Sequence, residues 1–192
     1  MNWEDEGYLL SKRKFRENAN IINVFTNTFG KVSGIVYGGN SRKIRNYLQI
    51  SNKIFIFYNS KNENKIGYFK TELVEPISPK YFNDKKRSAA LMSLTSLLNV
   101  LLPESQPYRN IYNSLEKLLQ NLYQDQWILL FIYWELSLIK ELGFDTNISK
   151  FNSMNYSNNE LVIVDIDNSK YQIPSFLIKN VMPKSIDNHL IK

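Results

Sequence analysis

The sequence predicts an α+β protein in which an N-terminal five-stranded β-barrel is followed by a mainly α-helical domain. Short β-branched and aromatic runs, separated by glycine and asparagine, fill the first part of the chain and are typical of strands. The composition changes at a segment that contains prolines, residues 76–79. Beyond it, apolar residues recur every three or four positions, which is the spacing of helices that bury one face.

Five segments have the composition of strands, and residues 48–50 are predicted to form a further short extended piece. The five are residues 8–15, 21–26, 32–37, 53–58 and 66–73. Gly30, Gly34 and Gly38 recur among them, and glycine is tolerated in a strand where a barrel bends or another backbone comes close. A five-stranded barrel of this size is the OB-fold, whose open face binds oligonucleotides. The strands alone leave an SH3-like barrel as the alternative.

The domain boundary is predicted just after the prolines. Residues 1–78 would form the barrel and residues 79–192 the helical domain, with a small insertion at about 146–172. Helices are predicted at 89–102, 111–123 and 126–142. Pro103 ends the first and Gly143 caps the third, since proline stops a helix and glycine favours its C-terminal turn. The insertion would hold a hairpin of residues 161–166 and 170–173, followed by a short amphipathic helix at 174–182.

Positive charge is concentrated in the barrel half of the sequence. Residues 1–88 carry 16 Lys/Arg against 8 Asp/Glu, whereas residues 89–192 carry 8 against 10. A field of one sign attracts polyanions and speeds their association. We therefore predict that the barrel binds DNA phosphates, with ordinary solvated charge as the alternative. The predicted contact residues are Lys12, Arg13, Lys14, Arg16, Lys31, Arg42, Lys43 and Arg45.

Aromatic residues interleave with these cations, and rings beside a basic groove are typical of sequence-tolerant single-strand binders. Most of the rings are expected in the core. Tyr37 and Tyr47 are flanked by polar residues and are the candidates for base stacking. The Gly38-Gly39 pair, which precedes Asn40-Ser41-Arg42-Lys43, predicts either a phosphate-binding nest or an ordinary β-turn.

On the predicted helices, three cations beside apolar faces are candidates for holding an acidic peptide with a hydrophobic end. They are Arg109, Lys117 and Lys140, and solvated helix cations are the alternative interpretation.

Residues for catalysis or metal binding are scarce. The chain has no cysteine and a single histidine, His189. Thiolate zinc sites, cysteine nucleophiles and Ser-His-Asp triads are therefore excluded, and neither a P-loop nor a dinucleotide-binding glycine motif occurs. We expect a non-enzymatic protein with no metal and no cofactor. No signal peptide is evident and the apolar stretch at 127–142 contains charged residues, so we expect a cytoplasmic location.

Two blocks of residues occur in the order and spacing of a known family. The first comprises Asp5-Glu6-Gly7, Arg16-Glu17-Asn18-Ala19, Val24-Phe25-Thr26, Gly30-Lys31-Val32, Gly38-Gly39-Asn40-Ser41-Arg42 and Leu48-Gln49. The second comprises Trp134-Glu135-Leu136-Ser137-Leu138, Leu142-Gly143-Phe144 and Asn147-Ile148, preceded by Leu102-Pro103-Glu104 and Gln106-Pro107. With these residues the chain resembles the RecO family of bacterial recombination mediators.

The resemblance implies an OB-fold protein of DNA repair and recombination that is not an enzyme. Such proteins bind single- and double-stranded DNA and anneal complementary strands. They work with RecR, engage the C-terminal tail of single-strand DNA-binding protein and help to load RecA. The resemblance also implies that the protein lies in the cytoplasm, associated with the nucleoid. The alternative is a protein-interaction adaptor in which the barrel is a scaffold without annealing activity.

Two departures from the family pattern stand out. Many relatives carry a four-cysteine zinc site in the insertion after the Leu142-Gly143-Phe144 block, which this cysteine-free chain cannot form. The chain also ends earlier than its relatives usually do, which bears on whether the tail-binding pocket is complete. We therefore expect a zinc-free, C-terminally short form.

Overall fold

A computed structural model describes residues 2–39, 41–60, 66–144, 161–166 and 169–175. The chain folds as two compact units, Met1–Leu122 and Tyr123–Lys192. The first unit contains strands β1 (Asn2–Lys14), β2 (Ala19–Thr26), β3 (Gly30–Tyr37), β4 (Lys53–Asn59) and β5 (Gly67–Glu75), and helices α1 (Arg42–Tyr47), α2 (Lys85–Leu101) and α3 (Arg109–Asn121). A 3-10 turn, η1 (Ser78–Tyr81), precedes α2, and the second unit contains α4 (Trp127–Glu141), β6 (Leu161–Ile166) and β7 (Ser169–Pro174).

The first five strands close into a barrel in the order β1-β2-β3-β5-β4, and β4 pairs back on β1. All neighbouring strands are antiparallel except β3 and β5, which run parallel through Gly34↔Gly67 and Ile35↔Tyr68. A five-stranded closed barrel with this strand order is an OB-fold. The predicted fold class, an OB-type barrel followed by helices, is confirmed, and the SH3-like alternative does not apply.

Alternate residues of the strands point inward and fill the barrel. The buried cluster consists of Leu9, Ile22, Val24, Val32, Val36, Leu48, Ile54, Ile56 and Phe69. Gly34 is required at its position, because a Cβ there would lie 2.4 Å from the ring of Phe69. Trp3 packs against the same core and stacks on Phe29 and Tyr58, with ring centroids 4.0 and 4.8 Å apart.

The connection between β3 and β4 differs from the prediction. Residues 48–50 are not extended; they follow helix α1, which the sequence analysis did not predict. The Ser41 side chain caps this helix by accepting a hydrogen bond from the Ile44 N–H at 3.4 Å. Ile44, Tyr47 and Leu48 have the spacing of one helical face and pack on the barrel core, but a single turn is too short for such a pattern to be distinguished from a loop. The capping serine was the other available signal.

A buried asparagine joins α1, the barrel and the segment that leads to the helices. Asn52 is fully buried, and its side-chain amide donates to the Tyr47 carbonyl at 2.9 Å. Its side-chain oxygen accepts from the backbone N–H groups of Ile77 and Ser78, at 2.9 and 3.0 Å. Because buried backbone groups must be paired, this one side chain fixes where the chain leaves the barrel.

Helices α2 and α3 pack on the outside of the barrel within the first unit. The ring of Tyr112 on α3 contacts the rings of Tyr8 and Phe25, each with a centroid distance of 5.5 Å. Burial raises the pKa of Tyr112 to about 12, so its hydroxyl stays neutral at this contact. The predicted boundary after residue 78 stays a prediction, although α2 and α3 share a compact unit with the barrel.

Lys53 forms the ionic part of the same contact between barrel and helix. Its ammonium donates to Glu116 of α3 at 2.9 Å and lies 3.3 Å from Glu6 of β1. Burial is the largest single influence and lowers the pKa of Lys53, but the hydrogen bonds to Glu116 and Glu6 and the charge interactions with Glu116 and Tyr112 together outweigh it, so the pKa is raised. The Tyr8 hydroxyl also donates to Glu116, at 3.3 Å. Glu116 therefore ties α3 to both β1 and β4.

The second unit combines a helix with a hairpin. Helix α4 buries Trp127, Leu129, Trp134 and Leu138. Strands β6 and β7 pair antiparallel from Leu161↔Pro174 to Ile166↔Ser169, which confirms the predicted hairpin. The helix predicted at 174–182 lies outside the described residues beyond Ser175. No helix in the described part of the chain is long and apolar enough to cross a membrane.

We expect Asn52→Ala to lower the free energy of unfolding by about 2–4 kcal/mol, because it leaves two buried N–H groups and one carbonyl without their partner. Urea denaturation measures the change. Asn46→Ala, which removes an exposed amide from α1, is the matched control and should change stability by less than about 0.5 kcal/mol. Equal stability of Asn52→Ala and the wild type would contradict the role assigned to Asn52.

Candidate nucleic-acid interface

One half of the outer face of β2 and β3 is covered by the α2 helix and the segment that follows it. Asn23 and Ser33 face each other across these strands. The Asn23 amide donates to the Asn99 side chain of α2 at 2.7 Å, and the Ser33 hydroxyl donates to Glu104 at 3.0 Å. This half of the face is therefore covered by contacts within the protein.

Lys31 belongs to this covered half. Its side chain is only 9% exposed, its ammonium donates to the Asn99 carbonyl at 2.8 Å, and it lies 3.9 Å from Glu104. The backbone here is equally constrained: Ser105 donates to the Lys31 carbonyl at 2.7 Å. Of the eight cations predicted to bind phosphate, Lys31 is therefore the one whose charge stabilises the contact between the barrel and α2.

The other half of the same face lies beyond these contacts. Here the pairs are Ile21↔Ile35 and Ala19↔Tyr37. Ala19, Ile21 and Ile35 form a small buried cluster outside the barrel, and Phe15 packs over it. Tyr37 is 52% exposed. We call this region the open half, and define it by these residues together with the loop at 15–18.

Cations surround the open half. Arg13 pairs with Ile21 across β1 and β2, and Arg16 lies over the Phe15 ring with its guanidinium carbon 5.2 Å from the ring centroid. The exposed cations of the region are Arg13, Lys14, Arg16, Arg42, Lys43 and Arg45. None of these six forms an ion pair with any residue that the structure describes.

Lys12 connects the basic end of β1 with α1. Its ammonium donates to the Leu48 carbonyl at 2.7 Å, directly after the helix. Burial and the nearby charge of Arg45 lower the pKa of Lys12. The Lys12 ammonium therefore lies at the C-terminal end of α1, whose last turn carries Arg45. The structure thus brings the cations of β1 and those of α1 into one basic surface.

The glycine pair before α1 forms a turn. Ser41 donates its N–H to the Gly38 carbonyl at 2.8 Å, and Gly38 has a φ of +67°, a conformation that glycine adopts without strain. Of the two interpretations that the sequence left open, the β-turn is the one observed. The Ser41 N–H is used within this turn rather than offered to an anion.

The two tyrosines predicted to stack on bases have different environments. Tyr47 is half-buried, its ring packs against the barrel core and its hydroxyl donates to the Thr71 carbonyl at 2.6 Å. Tyr37 instead stacks on Tyr68 of β5, with ring centroids 5.3 Å apart and an angle of 25° between the planes. Tyr68 is 43% exposed and was missed by the sequence analysis. Successive side chains of a strand point to opposite faces, so the residue before the buried Phe69 should point outward. This alternation could have identified Tyr68.

The hydroxyl groups of this tyrosine pair interact with each other. A hydrogen bond to Tyr68 raises the pKa of Tyr37, and the positive charge of Arg16 acts in the opposite direction. Arg16 therefore lies near enough to the ring pair to influence its ionisation. The open half brings together an exposed aromatic pair and an unpaired guanidinium.

The helix cations predicted to hold an acidic peptide are exposed. Arg109 is the first residue of α3, Lys117 follows about two turns later, and Lys140 lies in the last turn of α4 in the second unit. None of the three forms an ion pair within the described residues. No group of three or more His, Cys, Asp or Glu side chains that could hold a metal ion occurs in the described part of the chain.

The fold and this surface define a class: an OB-fold protein with appended helices, whose unpaired cations are suited to a polyanion. Two family models match the sequence. Recombination protein O N terminal covers residues 1–77, and Recombination protein O C terminal covers residues 83–152. The chain belongs to the RecO family.

Curated relatives agree with this assignment. The DNA repair protein RecO of Roseobacter denitrificans is 37% identical over 145 residues, which are 75% of this chain and 60% of that protein. The proteins of the same name from Ruegeria sp. and Wolbachia pipientis wMel are 33% and 30% identical, and the matches cover 78% of this chain and 62% of each relative. The chain thus spans about three fifths of the length of these relatives.

Among solved structures, Entamoeba histolytica asparaginyl-tRNA synthetase matches 90% of this chain and 39% of that chain, with a TM-score of 0.35 and 10% identity. A likeness of this size carries no argument about fold or function.

We expect Tyr68→Phe to lower the pKa of Tyr37 towards that of a free tyrosine, because the variant lacks the hydroxyl that hydrogen-bonds to it. NMR of protein with ¹³C-labelled tyrosine rings, titrated from about pH 8 to 12, measures the shift, with Tyr37→Phe to assign the signal. Tyr123→Phe, in the other unit, should leave it unchanged. A Tyr37 pKa that does not respond to Tyr68→Phe would mean that the hydrogen bond between the two hydroxyl groups is not formed in solution.

Proposed function

We propose that this protein binds DNA on the open half of its barrel and acts in DNA repair as a recombination mediator. One observation carries the proposal. The barrel cations at the helix contacts, Lys31 and Lys53, are paired with carboxylates, whereas the six exposed cations around the open half have no ion-pair partner among the described residues. Clustered unpaired cations attract phosphates, since binding releases the counterions of the nucleic acid.

The cations of α1 and those of β1 would track the phosphate backbone together. Such contacts position the nucleic acid without reading its sequence. Lys12 remains in the proposed set, because an ammonium has three donor hydrogens and the Leu48 carbonyl engages one of them. Lys31 would contribute indirectly, by holding α2 in place.

The mediator role is supported by membership of the RecO family and by the printed name of the relatives, DNA repair protein RecO. In this role the protein would bind single- and double-stranded DNA and anneal complementary strands. Its basic surface would neutralise two strands as they approach, and base pairing would supply the specificity. RecR, the C-terminal tail of single-strand DNA-binding protein and, indirectly, RecA are the proposed partners. The role needs no catalytic group or cofactor, and implies a cytoplasmic position at the nucleoid.

A second candidate function is that of a protein-interaction adaptor in which the barrel is only a scaffold. It is favoured by Arg109 and Lys117, two exposed cations of one helix that form no ion pair with the residues that the structure describes. Such cations suit an acidic peptide. The two candidates place the functional cations on different elements, so matched variants separate them.

We expect the combined change Arg42→Ala, Lys43→Ala and Arg45→Ala to weaken DNA binding for all sequences alike, and to reduce the steepness of log K against log salt by about 2–3. Annealing of strands coated with single-strand DNA-binding protein should slow in parallel. Fluorescence anisotropy over a salt series measures the binding. The matched control, Lys86→Ala with Arg109→Ala and Lys117→Ala, removes the same charge from the helices.

The two triple variants distinguish the candidates. DNA affinity and salt slope that are unchanged in the α1 variant would rule out the basic surface proposed for DNA. Loss of acidic-peptide binding in the helix variant, together with wild-type DNA binding by the α1 variant, would favour the adaptor.

A further inference from the structure

We propose that Tyr37 and Tyr68 form a stacking platform for unpaired bases, so that the open half binds single-stranded DNA in preference to duplex. The inference rests on the proposed DNA-binding function and assigns its base-contacting residues. The two tyrosine rings are exposed, although the apolar residues next to them on the same face are buried. Tyr37 and Tyr68 are 52% and 43% exposed, whereas Ile21 and Ile35 beside them are buried.

Each ring of the pair uses one of its faces on the other ring. Their centroids lie 5.3 Å apart with an angle of 25° between the planes, which is an offset stack. Two such rings keep outer surfaces on which a further flat ring can stack. Every base has a π-face, so this kind of contact tolerates any sequence.

The position of the pair relative to the cations suits a nucleic-acid strand. The strand register places Arg13, Ile21, Ile35 and Tyr68 in one row across β1, β2, β3 and β5. With about 4.8 Å between neighbouring strands, Arg13 and Tyr68 are separated by about 14 Å measured along the curved surface of the sheet. Arg16 lies near Tyr37 and influences its ionisation. Phosphates would therefore lie towards the cations of β1, and bases towards the tyrosines.

The pair is held in place before any ligand arrives. Tyr68 follows Gly67, where a Cβ would lie 2.4 Å from the Tyr58 ring, so the backbone there has little room to shift. Ile35↔Tyr68 is one of the two residue pairs that join β3 and β5. A site that is already formed loses less conformational entropy when it binds.

Duplex DNA cannot use such a platform. Its bases are stacked on one another and paired, so only its phosphates and sugars are accessible to this surface unless a base is taken out of the stack. The cations would contact single strands and duplexes alike, whereas the tyrosines would add affinity for single strands alone. Strand preference is therefore assigned to the aromatic pair rather than to the charge.

The test compares two ligands with the same phosphates: an oligo(dT) strand and an abasic strand of equal length. The wild type should bind oligo(dT) about ten-fold more tightly, because stacking contributes substantially for each base. Tyr37→Ala with Tyr68→Ala should abolish this preference and leave binding of the abasic strand unchanged. Tyr37→Phe with Tyr68→Phe should restore the preference, because the rings remain. Phe82→Ala, which removes a ring that is 84% exposed before α2, should match the wild type.

The outcomes separate this inference from the proposed function. If the wild type binds both strands equally, the stacking platform is wrong, although the protein still binds DNA. This comparison needs no variant. A preference that persists in the double alanine variant would also overturn the platform. Failure of the wild type to bind either strand would remove the proposed function, and the platform with it.

Discussion

A buried ammonium group needs a partner, and this requirement organises the structure. Lys31 and Lys53 both lie where helices cover the barrel, and each donates to a group that the helices carry, at 2.8 and 2.9 Å. An unpaired charge at Lys31 would cost several kcal/mol, on the order of the penalty for burying an ion alone, and at the less buried Lys53 the cost would be smaller. The helices must therefore sit where they supply Asn99 and Glu116. In that position they cover half of the β2–β3 face and leave the other half, with its exposed cations, open.

This division explains why one barrel has both a structural and a functional side. On the covered side, polar groups are satisfied within the protein, through the hydrogen bonds of Asn23 to Asn99 and of Ser33 to Glu104. On the open side, guanidinium and ammonium groups have no ion-pair partner among the described residues, and two tyrosines remain exposed. Charge there provides affinity for any polyanion, while aromatic rings distinguish unpaired bases. Family models match both the barrel and the first helices, so the whole of this arrangement lies within the matched residues.

Much of the fold could be predicted from the sequence, because strands and helices of ordinary length have their own periodicity. Helix α1 was not predicted, since its apolar spacing, Ile44, Tyr47 and Leu48, extends over a single turn and six residues are too few to establish a period. The candidate site was predicted as a set of cations, but composition does not tell which cation faces a helix. The partner of Lys31, Asn99, is 68 residues away in sequence. Similarly, the sequence does not tell that the ring of Tyr47 packs on the core, whereas Tyr68, for which no role was predicted, joins a ring pair across strands.

Nucleic acid should lie on the open half of the barrel and avoid the half covered by the helices. An NMR titration with oligo(dT), followed through the amide chemical shifts, distinguishes the two halves. We expect shift changes at Arg13, Arg16, Tyr37, Tyr68 and throughout α1, with none at Asn23 or Ser33. Changes confined to α2 and α3, with the loop at 15–18 and α1 unaffected, would contradict this expectation.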